Sequence, residues 1–325
     1  YSILFPRDNN LVIGYSDRRF RRIVEILKQI PVFFAIFLCL INVLRLSKPD
    51  YVLVNNEKSL IFLIFLKKII GFKIILYYRN EANEKQMNKR FVFLLNHYVD
   101  NLYCHSKIAI SNMQKYGVYK DAVYLPNCVN VSEIFSFSNN KNLTKYKAFS
   151  ILLNAGRVVE EKGYHTAIEA LFILKSKGYS VNMVFPGLNV DDSYYTHIQK
   201  MLNNYGLADN IVFLGWVDNI YQVLNSVDCM ILPSYSEGFP RSIIEAMLLK
   251  VPVCATPVGG IPEAIIDGKT GHIFEVNNAV QLAEKIQKLL IDSIARQDII
   301  ENAFNFAKFN FDEELNTSIF IDNLS

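Results

Sequence analysis

The residues with the clearest chemistry lie in the second half of the chain. Arg157 and Lys162 stand in Gly156-Arg157-Val158-Val159-Glu160-Glu161-Lys162-Gly163, directly after an apolar strand pattern. Two cations flanked by glycines at the carboxyl end of a strand suit a diphosphate. Arginine offers a planar fork, lysine a compact charge, and glycine lets backbone come close. The same pair also reads as solvated loop cations facing Glu160 and Glu161. Two carboxylates follow, Glu237 and Glu245, in Pro233-Ser234-Tyr235-Ser236-Glu237-Gly238-Phe239-Pro240-Arg241-Ser242-Ile243-Ile244-Glu245-Ala246. The first falls in a loop, and Gly238, Phe239 and Pro240 present backbone at a helix start, where an anion is favoured. Glu245 has two readings that the residues leave open. It accepts from sugar or ribose hydroxyls, or it closes a capping box with Ser242. In Gly259-Gly260-Ile261-Pro262-Glu263 the glycines permit close approach to a ligand, while Pro262 and Glu263 suit the first turn of a helix.

Such residues need strands that end at a common edge. In the first half the pattern predicts strands over 51–54, 73–78 and 107–110, with helices over 16–46 (broken at Pro31), 59–69 and 90–103. In the second half it predicts strands over 150–154, 181–185, 211–214, 229–232 and 252–255. Helices are expected over 164–175, 194–204, near Tyr221, over 242–249 and 279–290, and from Asp298 onward. Strands alternating with helices make this an α/β protein with parallel sheets covered on both faces. Ligands of such sheets sit at the carboxyl ends of the strands, so the loops after Asn154, Phe185, Leu214, Leu232 and Ala255 are expected to form the site. The division is a first domain over 1–135, a polar Asn/Ser/Lys-rich linker over 136–147, a second domain over 148–302, and a terminal helix over 303–325 packing back toward the first domain.

Composition supports this division and narrows the function. The chain has 325 residues, 51% hydrophobic and 20% charged, the balance of a folded protein large enough for two domains. Residues 1–140 carry 19 Lys and Arg against 10 Asp and Glu, whereas residues 141–325 carry 15 against 21. The basic half therefore suits an anionic partner. Within it, Arg18, Arg19, Arg21 and Arg22 precede an apolar run, Pro31 to Ile41, of 11 residues, short of the roughly 20 that span a bilayer. These segments read either as a peripheral contact with an anionic membrane face or lipid diphosphate, or as a solvated helix face and a core helix. No nucleic-acid motif accompanies the charge. The five scattered cysteines, Cys39, Cys104, Cys128, Cys229 and Cys254, form no CxxC pair, which suits buried thiols in a reducing, cytoplasmic setting. There is no Asp-x-Asp to hold a divalent metal and no Gly-x-Gly-x-x-Gly for a dehydrogenase.

Together the second-half motifs resemble the retaining nucleotide-sugar glycosyltransferases of family 4. The match runs from Ala155-Gly156-Arg157 and Glu161-Lys162-Gly163 through Val212-Phe213-Leu214-Gly215, Asp228, Leu232-Pro233-Ser234 and Glu237-Gly238-Phe239-Pro240. It continues through Glu245-Ala246-Met247, Pro252-Val253, Gly259 to Glu263, Asp267-Gly268 and Gly271, about 120 residues in order. Glu237 and Glu245 stand as that family's Glu-x7-Glu. In the first half only Lys48-Pro49-Asp50, Ser111 and Pro126-Asn127-Cys128-Val129-Asn130 echo it.

The resemblance implies the GT-B fold, two Rossmann-like domains facing a cleft, and transfer of a hexosyl or related sugar from a UDP- or GDP-linked donor without a metal. The acceptor would be a glycan or a polyprenyl-diphosphate-linked glycan of a surface polysaccharide such as a capsule or lipopolysaccharide. By the same resemblance Arg157 and Lys162 bind the donor diphosphate beside Gly156, and Glu237 with the main chain at Gly238, Phe239 and Pro240 holds the sugar. Glu245 would take the ribose, and backbone from Gly215 to Val217 the base. A histidine that the family carries near the acceptor is replaced in Tyr77-Tyr78-Arg79-Asn80-Glu81, with Arg79 as its stand-in. The chain opens at what resembles the family's second strand, so a first strand and helix are expected to be missing. Two other readings stand beside this one: a non-catalytic nucleotide-binding homologue, and a sugar-nucleotide epimerase on the same scaffold.

Overall fold

The computed structural model describes residues 41, 44–55, 57–138, 148–153, 157–189 and 192–324. Arg18, Arg19, Arg21, Arg22, the run from Pro31 as far as residue 40, and Gly156 lie outside the described residues, as does 139–147 of the expected linker.

The first half is built from β1 (Tyr51–Val54), α1 (Glu57–Ile70), β2 (Lys73–Tyr78), α2 (Lys89–Tyr98), β3 (Asn101–Cys104), α3 (Lys107–Lys115), β4 (Ala122–Tyr124) and α4 (Val131–Ser138). Its strands form a parallel sheet in the order β1-β2-β3-β4. Two elements differ from expectation. The strand expected over 107–110 is the start of α3, and the strand lies earlier, at β3. Ile108 and Ile110 mimic a strand's alternation, but Ser106 is the N-cap, its hydroxyl accepting from the Ala109 N–H at 3.2 Å. Ala109 and Met113, four apart, then bury one face of the helix. The stretch expected to open the linker is helical through Ser138, and Val131 and Ile134 of α4 are buried among second-half residues such as Ile243 and Met247.

The second half runs β5 (Phe149–Leu153), β6 (Arg157–Val158), α5 (Tyr164–Ser176), β7 (Val181–Pro186), β8 (Leu188–Asn189), α6 (Asp192–Tyr205), β9 (Ile211–Gly215), α7 (Ile220–Ser226), β10 (Cys229–Leu232), α8 (Arg241–Leu248), β11 (Val253–Ala255), α9 (Ile261–Ala264), β12 (His272–Ile273), α10 (Ala279–Ile291), α11 (Ser293–Asn310) and α12 (Glu313–Asp322). Six of its strands make a parallel sheet ordered β12-β11-β10-β5-β7-β9. Strand faces alternate: Ile151, Leu153 and Ile231 meet Ala167, Leu171 and Ile286 on one side, and Leu152, Met230 and Leu232 meet Ile243, Ile244 and Met247 on the other. Chain order reverses between β5 and β10, the place where a doubly wound sheet leaves a crevice at its carboxyl edge. The loops leaving these two strands carry Lys162 and Glu237.

The terminal helix α12 returns to the first half. The Tyr103 ring on β3 is fully buried with its centroid 4.9 Å from that of Phe320, and its hydroxyl donates to the Phe320 carbonyl at 3.1 Å. Tyr51 and Asn101 add bonds to the carbonyls of Leu324 and Asn323. A double-mutant cycle of Tyr103→Ala and Phe320→Ala, read by denaturant unfolding, should return a coupling of about 0.5–1.5 kcal/mol, the worth of an aromatic pair beyond its burial. Purely additive losses would mean that the two rings do not meet.

Candidate active site

The centre of the site is an ion pair between loops. Lys162 ends a 3-10 turn over Glu160–Lys162, and its Nζ lies 2.7 Å from Glu237 Oε1, with side-chain exposures of 23% and 12%. The same carboxylate oxygen accepts from the Ser234 hydroxyl at 2.6 Å, and Ser234 is fully buried with its carbonyl accepting from Thr256 Oγ1 at 2.6 Å. So the loop from Pro233 to Pro240 is stitched to β11 behind it and to Lys162 beside it. A further brace comes from His165, whose ring nitrogens lie 2.8 Å from Tyr194 Oη and 2.6 Å from Tyr235 Oη. The Tyr235 N–H donates to the Glu161 carbonyl at 2.8 Å.

Arg157 is exposed at the start of β6, on the same loop as Lys162. Glu245, on the second turn of α8, is mostly buried, and burial raises its carboxyl above the ordinary range while Arg241 and the Tyr221 hydroxyl pull it back. The N-cap of α8 is Pro240, and Ser242 is the second helical residue rather than the cap. Gly215 closes β9 with φ of 65°, its carbonyl accepting from the Gly187 N–H at 2.7 Å, and Val217 follows half-buried.

The glycine-rich loops need correction in their reasons. Gly259 was expected to let backbone approach a ligand. Its φ is 55°, and a Cβ there would lie 1.9 Å from the Glu237 carbonyl oxygen, so it makes room for the loop that carries Glu237. Phe239 buries its ring against Phe311, with centroids 5.3 Å apart, and its carbonyl accepts from Asn127 Nδ2. The carbonyls of Gly238 and Phe239 therefore serve the fold, and what this loop can present to a ligand is N–H.

Across the cleft the first half meets this loop directly. Glu81 Oε1 accepts from the Ser236 hydroxyl at 3.1 Å and the Glu237 N–H at 3.3 Å. In return, Glu263 Oε1 accepts from the N–H groups of Lys107 and Ile108 at 2.7 and 3.2 Å, capping α3 of the opposite half. Its place in the first turn of α9 is as expected, but its carboxylate serves another helix. Arg79 is exposed beside this interface, its Nη2 3.5 Å from Asn127 Oδ1.

The residue that sequence reasoning missed is His105. It follows β3 at the carboxyl edge, 1% exposed, and its Nδ1 donates to the Tyr78 carbonyl at 3.0 Å. A carbonyl only accepts, so the neutral ring carries its proton on Nδ1. Its buried Nε2 has no hydrogen-bond partner among the described residues and faces Gly238, where an added Cβ would sit 3.0 Å from it and 3.0 Å from the Arg79 carbonyl oxygen. Gly238 thus lies where the two halves pack tightly against each other. The signal was Ser106, a helix cap that moves the strand end to Cys104. Among the described residues no group of three or more His, Cys, Asp or Glu is arranged to hold a metal ion.

With this geometry in place, the comparisons decide the family. Residues 135–306 match the family model described as Glycosyl transferases group 1. The chain belongs to that family. It is 31% identical over 195 residues to the capsular polysaccharide biosynthesis glycosyltransferase CapM of Staphylococcus aureus, covering 56% of this chain and 49% of that protein. Over 113 residues it is 35% identical to the N-acetyl-alpha-D-glucosaminyl L-malate synthase of Bacillus anthracis, covering 35% of this chain and 30% of that protein. The chain spans about half the length of the first of these curated relatives and less of the second. Its fold is that of Anabaena Alr3699/HepE in complex with UDP, with a TM-score of 0.79 at 19% identity over 89% of this chain and 81% of that one. A glycosyltransferase from Rickettsia africae matches with a TM-score of 0.78 at 21% identity, over 88% of this chain and 79% of that one. The two parallel-sheet halves are the GT-B architecture.

Two outcomes test the cross-cleft contacts. Glu263→Ala should cost about 0.5–2 kcal/mol, the usual worth of a helix cap, and Glu263→Gln, which keeps an accepting oxygen, should recover most of the thermal shift. For His105, burial lowers the pKa, the Tyr78 carbonyl and the adjacent Gly238 backbone raise it, Arg79 lowers it and Glu81 raises it, with a net downward shift. A depressed histidine contributes stability that is present above the ordinary value of about 6.5 and is lost as pH falls through it toward the folded value. His165 and His272 shift the same way, so the comparison is with His105→Asn. Its melting temperature should fall less than that of the wild type between about pH 7 and pH 5. Parallel curves would show that His105 does not titrate with unfolding.

Proposed function

We propose that this protein transfers a sugar from a nucleoside-diphosphate donor to a hydroxyl of a glycan or lipid-diphosphate-linked acceptor, with retention at the anomeric carbon. The carrying observation is the Lys162–Glu237 pair at the topological switch point, 2.7 Å apart. A cation and a carboxylate on adjoining loops of a crevice support binding of phosphate by the one and of sugar hydroxyls by the other.

In this reading Lys162 and Arg157 bind the donor diphosphate beside Gly156, and Lys162 exchanges part of its contact with Glu237 for phosphate oxygen. Glu237, the N–H groups of Gly238 and Phe239 and the helix start that follows Pro240 orient the sugar, Glu245 takes the ribose hydroxyls, and Gly215 to Val217 line the base. The acceptor oxygen attacks the anomeric carbon on the face that the diphosphate leaves. A new C–O bond forms, the bond from carbon to phosphate oxygen breaks, and the acceptor's proton passes to the leaving phosphate. Fixed cations stabilise the charge that develops there. Arg79, exposed at the carboxyl end of β2, is assigned to the acceptor side. The domain limits read from the sequence, with cleft and linker between the halves, are part of the same proposal.

The relatives' names point to capsule and lipopolysaccharide assembly, which fits a cytoplasmic-face enzyme with a basic first half. No helix among the described residues is long and apolar enough to cross a membrane. We assign Arg18, Arg19, Arg21 and Arg22 to peripheral contact with anionic lipid. Replacing all four with serine should abolish sedimentation with acidic vesicles at low salt, since each cation near such a surface contributes about 1 kcal/mol. Equal binding to neutral vesicles would refute this.

The Anabaena protein of the same fold is bound to UDP, which sets the first nucleotide to try. Calorimetry should detect UDP or GDP binding with EDTA present, and binding lost on chelation would overturn the metal-free reading. Glu237→Ala should remove donor turnover while leaving nucleotide affinity near that of the wild type. Glu245→Ala should weaken nucleotide affinity. The reverse pattern would exchange the two roles.

A further inference from the structure

We infer that Trp216 is the stacking platform for the donor's nucleobase. It is the one tryptophan of the 325 residues, and it is 70% exposed. An indole left this open gives up one of the largest apolar burials a side chain can make, and here it is held in place as well. Its Nε1–H donates to Asp218 Oδ1 at 2.8 Å, so the polar edge is satisfied within its own loop and the ring faces are what the loop presents. The chain turns immediately before it at Gly215, φ 65°, and that turn is tied to β7 by the Gly187 N–H. The ring thus stands at the carboxyl edge of β9, on a fixed support.

The same loop leads into the ribose position. Asn219 caps α7, its side chain accepting from the Tyr221 N–H at 3.0 Å, and the Tyr221 hydroxyl lies near enough to the Glu245 carboxylate to lower its pKa. Five positions therefore separate the open indole from the tyrosine that neighbours the carboxylate assigned to the ribose. A planar heterocycle attached to that ribose fits an open aromatic face. Stacking is tolerant of base identity because every base has a π-face, so Trp216 supplies affinity for a nucleotide as a class. This rests on the nucleotide-donor reading and adds to it a residue that the backbone contacts of the base loop do not include.

The test uses the fluorescence of the only indole in the chain, beside calorimetry on the same samples. UDP and GDP should quench the emission with the midpoint that calorimetry gives, and inorganic pyrophosphate, which has no base, should bind without quenching. Trp216→Ala should weaken nucleotide binding about ten-fold, as loss of a base–aromatic stack does, and leave pyrophosphate affinity unchanged. Trp216→Phe should retain most of the affinity. Nucleotide binding by calorimetry with unchanged emission, or with full affinity in Trp216→Ala, overturns this inference alone. Quenching by pyrophosphate overturns it too, since a change of loop shape would then explain the signal. No calorimetric binding of either nucleotide overturns the donor reading and this inference with it.

Discussion

The two halves are held face to face by carboxylates that each gives to the other's backbone N–H groups. Glu263 leaves the second half to cap α3 of the first, and Glu81 leaves the first to meet the Glu237 N–H and Ser236 hydroxyl of the second. Charge-assisted bonds to N–H are short and directional, and each ends on an element next to the site. One sits beside His105 and the other on the residue that pairs with Lys162. The shape of the crevice therefore depends on the same contacts that close the cleft.

That arrangement explains why small residues cluster there. At Gly238 the Arg79 carbonyl and the His105 ring would crowd a Cβ at 3.0 Å, and at Gly259 the Glu237 carbonyl leaves no room for one. Glycine is needed because backbone meets backbone, within the domain at one position and across the cleft at the other. The buried faces of the sheet have no such restriction, and β10 fills its positions with Cys229, Met230, Ile231 and Leu232, all fully buried.

His105 shows what burial does to a polar group at such a boundary. One nitrogen is satisfied inside the first half by the Tyr78 carbonyl, and the other is covered by the second half without a bond. An unsatisfied buried nitrogen costs stability, and here it lies against the loop that carries Glu237.

The motifs of the second half were legible because each is local. Lys162 and Glu237 are named by their own loops, the strands around them by apolar runs, and α/β class by the alternation of strand and helix. The switch point then follows from strand order, which brings together loops about 75 residues apart. Only the tertiary structure decided what Glu263 does, since its partners are backbone groups of a helix more than 150 residues earlier. It also fixed where α8 begins, with the cap on Pro240 and Ser242 inside the helix. The strand at Asn101–Cys104 was misplaced because Ile108 and Ile110 alternate as a strand would, and hydrophobic periodicity over four residues cannot separate the two forms. That error hid His105 in an apparent loop, whereas pairing with β2 places it at the carboxyl edge, facing Gly238. Side-chain chemistry is written along the chain, but which backbone groups it reaches depends on how the two halves meet.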